Sequence, residues 1–283
     1  MKWENAVRKG YLAFPAIKAT AVAALAISLA VPLLARAEPA EVARAKPPEV
    51  ACDLPFNMLR LAHPLSRLAQ RLATSEPITI VAIGSSSTAG AGASTASATY
   101  PSRLAVELER HFPNRQITVI NRGVNGEEVN DMVKRFDSAV VDAKPDLVLW
   151  QFGTNSIVRD QNLNSGDTAI QDGLKKIRAL GADVVIIDPQ FAPKVIANSH
   201  AAATVELMAT TAKYENVDLF RRYDVMKRWS EVDHIPFKTF VSQDGLHMND
   251  WSYACMAKGL GMAIAEAAQR PVMAATMMSH GVR

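Results

Sequence analysis

Five short apolar runs, each followed by a stretch of helical spacing, constrain the fold of this chain more than any other feature. The runs cover 78–83, 117–120, 147–152, 184–187 and, most weakly, 217–220. Between them Leu104, Leu108 and Phe112, then Ile170, Leu174 and Ile177, recur as on one helix face, and a last helix is expected over 250–268. A helical pattern also runs from Leu54 to about Leu72, interrupted by Pro64. Strands apolar on both faces and alternating with helices specify a parallel sheet covered on both sides. The expectation is therefore an α/β fold: a single three-layer α/β/α domain over 51–270 with a five-stranded parallel sheet. Such sheets bind ligands at the carboxyl ends of their strands, so chemistry is sought there.

The ends of the chain read differently. Residues 1–37 have a cationic start, an apolar run over 19–34, and Ala35-Arg36-Ala37, which places small residues around a cut and makes 1–37 an expected signal peptide. The apolar run contains Pro32 and is shorter than the ~20 residues of a spanning helix, so no stable membrane span is expected after processing, an uncleaved amino-terminal anchor being the alternative. Residues 38–50, rich in Pro, Ala and charge, read as a flexible linker, and 271–283 as a carboxyl-terminal tail. Net charge is +3, but beyond residue 37 there are 26 basic against 27 acidic side chains, which excludes a broad phosphate-binding surface and makes nucleic acid an unexpected partner. A periplasmic or secreted location follows from the leader. In that oxidising setting Cys52 and Cys255 could pair, tying the early segment to the last helix, or remain two buried thiols.

At the end of the first run stands Gly84-Ser85-Ser86-Ser87-Thr88-Ala89-Gly90, followed by small residues to Thr99. It is not a phosphate loop, because no lysine occurs between Arg71 and Lys134, and Gly90-Ala91-Gly92 lacks the third glycine of a dinucleotide fingerprint. Nor is it a Gly-x-Ser-x-Gly elbow, since Thr88 stands at the second glycine. What remains is a serine at a strand end beside a helix start, which is most often a cap. The next two runs end in Asn121-Arg122-Gly123-Val124-Asn125-Gly126 and Gly153-Thr154-Asn155, both ordinary turn compositions taken singly. Before the last helix comes Asp244-Gly245-Leu246-His247, where a carboxylate can fold back onto the imidazole Nδ1 and leave Nε2 free for a hydroxyl proton. His63, His111, His200, His234 and His280 lack metal-ligand spacing and are assigned to surface or packing roles, so no metal is expected.

Together these blocks, in this order, resemble the SGNH hydrolase superfamily of GDSL esterases and lipases over nearly all of 78–268. Ser86 falls at the nucleophile position of the first block, with Ser85 where the family has aspartate; Gly123 matches the second block, Gly153 and Asn155 the third, and Asp244 and His247 the last. Tyr100-Pro101 and Leu104 look like the family's first-helix start. The resemblance implies a flavodoxin-like fold and an exported esterase acting through an acyl-enzyme, with no cofactor. Ser86, Asp244 and His247 would be catalytic, and the Ser86 and Gly123 amides with the Asn155 side chain would form the oxyanion hole. Three adjacent serines leave Ser85 and Ser87 as competing nucleophiles. The expected partner is a small ester, or an acylated glycan or lipid. An O-acyltransferase acting on envelope glycans and a noncatalytic carbohydrate-binding protein are the competing functions. Phe152, Arg159 and Phe191, at or just past strand ends, are candidates to border the substrate.

Overall fold

A computed structural model of the chain describes Cys52 and residues 54–74, 76–161, 163 and 167–271. The expected signal peptide, the expected linker over 38–50, His280 and the carboxyl-terminal tail beyond residue 271 lie outside the described residues. The elements run α1 (Phe56–Leu59), α2 (Ser66–Leu72), β1 (Ile78–Gly84), α3 (Ser86–Ala89), α4 (Tyr100–His111), β2 (Ile117–Gly123), α5 (Val129–Lys134), α6 (Phe136–Ala139) and β3 (Leu147–Gln151). They continue through α7 (Thr154–Val158), α8 (Asp167–Ala179), β4 (Asp183–Ile187), α9 (Pro193–Ile196), α10 (Ala201–Tyr214), β5 (Asp218–Phe220), α11 (Arg222–Glu231), α12 (Phe237–Phe240) and α13 (Asp250–Gln269). The break between α1 and α2 falls around Pro64, whose ring removes a helix hydrogen bond.

All strand pairs are parallel, in the order β2-β1-β3-β4-β5. Strand alternation sorts the core into two layers. Ile80 and Ala82, Leu147 and Leu149, and Val185 and Ile187 face one layer with α2, α4, α11 and α13. Val81 and Ile83, Val148 and Trp150, and Ile186 face the other with α5, α6, α8 and α10. This is the three-layer α/β/α architecture. The expectation of strands buried on both faces holds for β1 and β3 and fails for β2, where Thr118, Asn121 and Arg122 are exposed because β2 is an edge strand.

The order reverses at β1, with β2 on one side and β3 on the other. Crossovers leaving these two neighbours diverge and open a crevice at their carboxyl ends. Ser86 follows β1 and Asn155 follows β3, so both flank that crevice. Cys52 and Cys255 are joined as a disulfide that ties the segment before α1 to α13. Among the described residues no helix is long and apolar enough to cross a membrane.

Candidate active site

Ser85, Ser86 and Ser87 are all buried, yet their hydroxyls have different partners. Ser85 Oγ donates to Gln151 Oε1 at 3.1 Å and Ser87 Oγ to Gln190 Oε1 at 3.4 Å. Ser86 Oγ alone meets His247, 2.8 Å from Nε2. The turn that aims it is held from below: Gln151 Oε1 also accepts from the Ser85 amide at 3.0 Å and from Thr88 Oγ1 at 3.2 Å. Burial pushes the Tyr100 hydroxyl up to about 12, leaving it a neutral donor to Thr88 at 3.1 Å. Gly84 is required here because an added Cβ would sit 2.2 Å from Thr88 Oγ1 and 2.8 Å from Gln151 Oε1.

His247 and Asp244 share a loop closed by the bridge between Val241 and Met248 and by the Ser242 amide, which donates to the His247 carbonyl at 2.8 Å. The loop runs straight into α13, where Asn249 and Ser252 form a reciprocal capping box. His247 Nδ1 lies 2.5 Å from Asp244 Oδ2. Asp244 Oδ1 accepts from Ser242 Oγ at 2.6 Å and from the Leu246 and His247 amides, both at 2.9 Å. Burial pushes the Asp244 carboxyl up, but the hydrogen bonds from Ser242, His247 and Leu246 outweigh it and hold the group well below the usual carboxylate range. An ionised carboxylate only accepts, so Nδ1 carries the ring proton and Nε2 of the neutral ring is the acceptor facing the Ser86 hydroxyl.

The three expected oxyanion donors differ in how free they are. As the first residue of α3, Ser86 has no acceptor for its amide within the helix. Asn155 Nδ2 donates one hydrogen to the Glu127 carbonyl at 2.9 Å, and its second hydrogen remains for a ligand. The Gly123 amide donates to Asn121 Oδ1 at 2.8 Å, and Asn121 Nδ2 in turn donates to the Thr88 carbonyl at 2.8 Å. Gly123 therefore offers its amide only in competition with Asn121. Its lack of a side chain has a separate cause: a Cβ would lie 2.0 Å from the Ala89 nitrogen, so β2 approaches α3 too closely for anything but glycine.

Of the three candidate border residues, Phe152 is core, packed edge-on against Trp150. Phe191 is also buried, edge-on to Tyr223 and stacked on Phe237. Arg159 is not merely solvated: it donates to Glu128 Oε1 at 2.9 Å and to the Gly126 carbonyl at 2.8 Å, while Ser156 Oγ donates to Glu128 Oε2 at 2.6 Å. These bonds clamp the β2–α5 loop to α7 beside Asn155. Gln151, Gln190 and Glu128 were not singled out in the sequence, because glutamine or glutamate near a strand end carries no motif. Only the strand-end rule points to their neighbourhood. Two clefts, of about 430 and 630 Å³, are lined by none of Ser86, Gly123, Asn155, Asp244 and His247. Among the described residues no cluster of His, Cys, Asp and Glu could hold a metal ion.

The sequence model of the non-GDSL lipase-like family matches residues 51–270. No curated protein matches the sequence. A solved two-domain esterase active on acetylated mannans, co-crystallised with mannopentaose, is 18% identical with a TM-score of 0.64, covering 77% of this chain. This chain spans 58% of that esterase's length. TesA is 18% identical over 67% of this chain and 99% of its own, with a TM-score of 0.57. A catalytic mutant of Axe2, an acetylxylan esterase from Geobacillus stearothermophilus, is 15% identical over 69% and 97%, with a TM-score of 0.56. At these identities the structural likeness establishes the fold.

Proposed function

The chain belongs to the non-GDSL lipase-like family within the SGNH hydrolase superfamily, and on that premise we propose that it is an exported serine esterase that removes short acyl groups, such as O-acetyl, from glycans. The observation that carries this reading is the unbroken line from Asp244 Oδ2 through His247 to Ser86 Oγ.

Ser86 Oγ attacks the ester carbonyl carbon as its proton passes to His247 Nε2. Asp244 holds the imidazole in the tautomer that can accept this proton and stabilises the cation formed. The Ser86 amide and Asn155 Nδ2 meet the negative charge on the former carbonyl oxygen, joined by the Gly123 amide if the oxyanion displaces Asn121. Collapse expels the alcohol, which takes the proton from Nε2 and leaves acyl-Ser86. Water, activated by the same nitrogen, then releases the acid.

Two observations support the finer terms. A solved esterase that shares the fold is active on acetylated mannans, and another is an acetylxylan esterase. The Cys52–Cys255 disulfide suits an oxidising compartment, in keeping with the leader pattern of residues 1–37. Purified protein should release p-nitrophenol faster from acetate than from butyrate or octanoate esters and release acetate from acetylated mannan or xylan, with both activities absent in Ser86→Ala. Octanoate preferred over acetate would overturn the short-acyl assignment, and hydrolysis surviving in Ser86→Ala would overturn the mechanism. Amino-terminal sequencing of the exported protein should begin at Glu38; full-length chain in the membrane fraction would point instead to an anchor.

A further inference from the structure

Gln190 follows β4 by three residues and is fully buried. Both ends of its side-chain amide are occupied. Oε1 accepts from Thr154 Oγ1 at 2.9 Å and from Ser87 Oγ at 3.4 Å, and Nε2 donates to the Leu246 carbonyl at 3.1 Å. Each partner is the chain neighbour of a site residue: Thr154 precedes Asn155, Ser87 follows Ser86, and Leu246 precedes His247. Three segments from distant parts of the sequence, carrying the nucleophile, the oxyanion amide and the base, thus meet on one side chain.

The segment bearing Gln190 is itself fixed. The buried Arg222 guanidinium donates from Nε to the Asp188 carbonyl at 2.8 Å, and Asp188 Oδ1 accepts from the Tyr223 amide at 2.9 Å. An amide suits this place because it offers an acceptor and a donor on one planar group. A carboxylate would face the Leu246 carbonyl with a second acceptor, and an apolar side chain would strand two hydroxyls and a carbonyl.

We propose that Gln190 is a positioning residue that holds Ser86, Asn155 and His247 in register, an inference resting on the reading of Ser86 and His247 as nucleophile and base. Gln190 touches none of the reacting atoms, so its loss should act on turnover and leave substrate binding intact. A misplacement of about 1 Å in such a site costs on the order of a hundredfold, so Gln190→Met, close in volume, should lower kcat about ten- to a hundredfold while KM stays within about twofold. The proton on His247 Nδ1, followed by NMR, should shift or broaden as the ring loses its fixed distance to Asp244. Thr154→Val should lower kcat with KM unchanged, and adding it to Gln190→Met should cost less than the sum of the two, because both remove the same bond. Should Gln190→Met fail to fold, Thr154→Val carries the same kcat and NMR readings.

Ser86→Ala tests the underlying reading separately. If hydrolysis survives there, the nucleophile assignment falls, while the His247 proton signal still judges Gln190. An unmoved signal with kcat within twofold of the unaltered protein, in Gln190→Met or in Thr154→Val where that variant stands in, overturns the proposal, as does strict additivity with Thr154→Val.

Discussion

Three consecutive hydroxyls are chemically alike in the sequence, and only their acceptors distinguish them. Ser86→Ala should abolish acyl-enzyme formation, whereas Ser85→Ala should keep most activity, since its hydroxyl is bound to Gln151 and not to His247. Ser87→Ala removes only the longer of the two bonds to Gln190 Oε1 and should cost less than Thr154→Val. Titration of Ser86 with an organophosphonate measures this directly; labelling that persists in Ser86→Ala and disappears in Ser85→Ala would move the nucleophile by one residue. Asn155→Ala leaves the nucleophile in place and removes one oxyanion donor, which should cost about 2.7 to 4 kcal/mol, or about a hundred- to a thousandfold, mainly in kcat. If only KM rises, Asn155 binds substrate in its ground state. Asp188 is a different kind of residue. Burial pushes its carboxyl up to about 7, against the opposing influence of the Tyr223 amide and Arg222. Between about pH 4, where the unfolded chain ionises, and pH 7, the folded state keeps a proton that the unfolded state has lost. Stability from this group is therefore fully present at low pH and lost as pH rises through that window. Asp188→Asn does not titrate, so its melting temperature relative to the unaltered protein should climb from pH 5 to pH 8; a difference flat in pH would show that Asp188 is ionised throughout.

The elements were legible in the sequence to the extent that burial repeats along them. Ile170, Leu174 and Ile177 lie buried on α8 as their spacing requires, and α13 ends one residue past its expected limit. β2 runs on to Gly123, beyond the apolar run, because the edge strand pairs with β1 through Asn121 and Arg122, whose polar side chains leave no apolar signal. Phe152 looked like the end of a strand near substrate, but it packs edge-on against Trp150, two residues earlier, and is buried in the layer that holds α8 and α10, so the alternation of the strand continues through it. The site residues with a motif were legible; those that hold them were not, since Gln151, Gln190 and Glu128 act through partners from other elements. The contact of β2 with α3 gives an element-scale prediction. Cβ atoms essentially never approach within 3.0 Å of another heavy atom, and in Gly123→Ala the Ala89 nitrogen would lie 2.0 Å away, so α3 must move by about 1 Å and carry Ser86 off line, at a cost on the order of a hundredfold in kcat. Rates and melting temperatures of Gly123→Ala decide it. Unchanged kcat would mean that β2 yields and α3 does not.

Among the described residues two apolar layers on a single sheet are continuous, and one of them extends through α1 to Leu54 in the segment before it. Leu54 and Leu59 reach α13 over Gly259, where an added Cβ would sit 3.1 and 3.2 Å from their methyl carbons. The disulfide fixes this contact by joining Cys52 to Cys255 across 203 residues. Closing so long a loop restricts the unfolded chain, which on the loop-entropy account stabilises the fold by about 5 kcal/mol before any strain in the folded state is subtracted. Neither cysteine takes part in the hydrogen bonds that set Ser86, His247 and Asp244, so the bond should support the fold without tuning the chemistry. Reduction under native conditions should therefore lower the denaturant midpoint and steepen the slope, because the freed unfolded chain exposes more surface, while leaving kcat of the folded protein within about twofold. A lowered midpoint at an unchanged slope would place the effect of the bond in the folded state and not in the unfolded chain. A collapse of kcat before any unfolding would mean that α13, which begins directly after the His247 loop, transmits the break to His247. Free-thiol titration of denatured, unreduced protein is the prior check: two reactive thiols would remove the bond and with it the expected shift in midpoint.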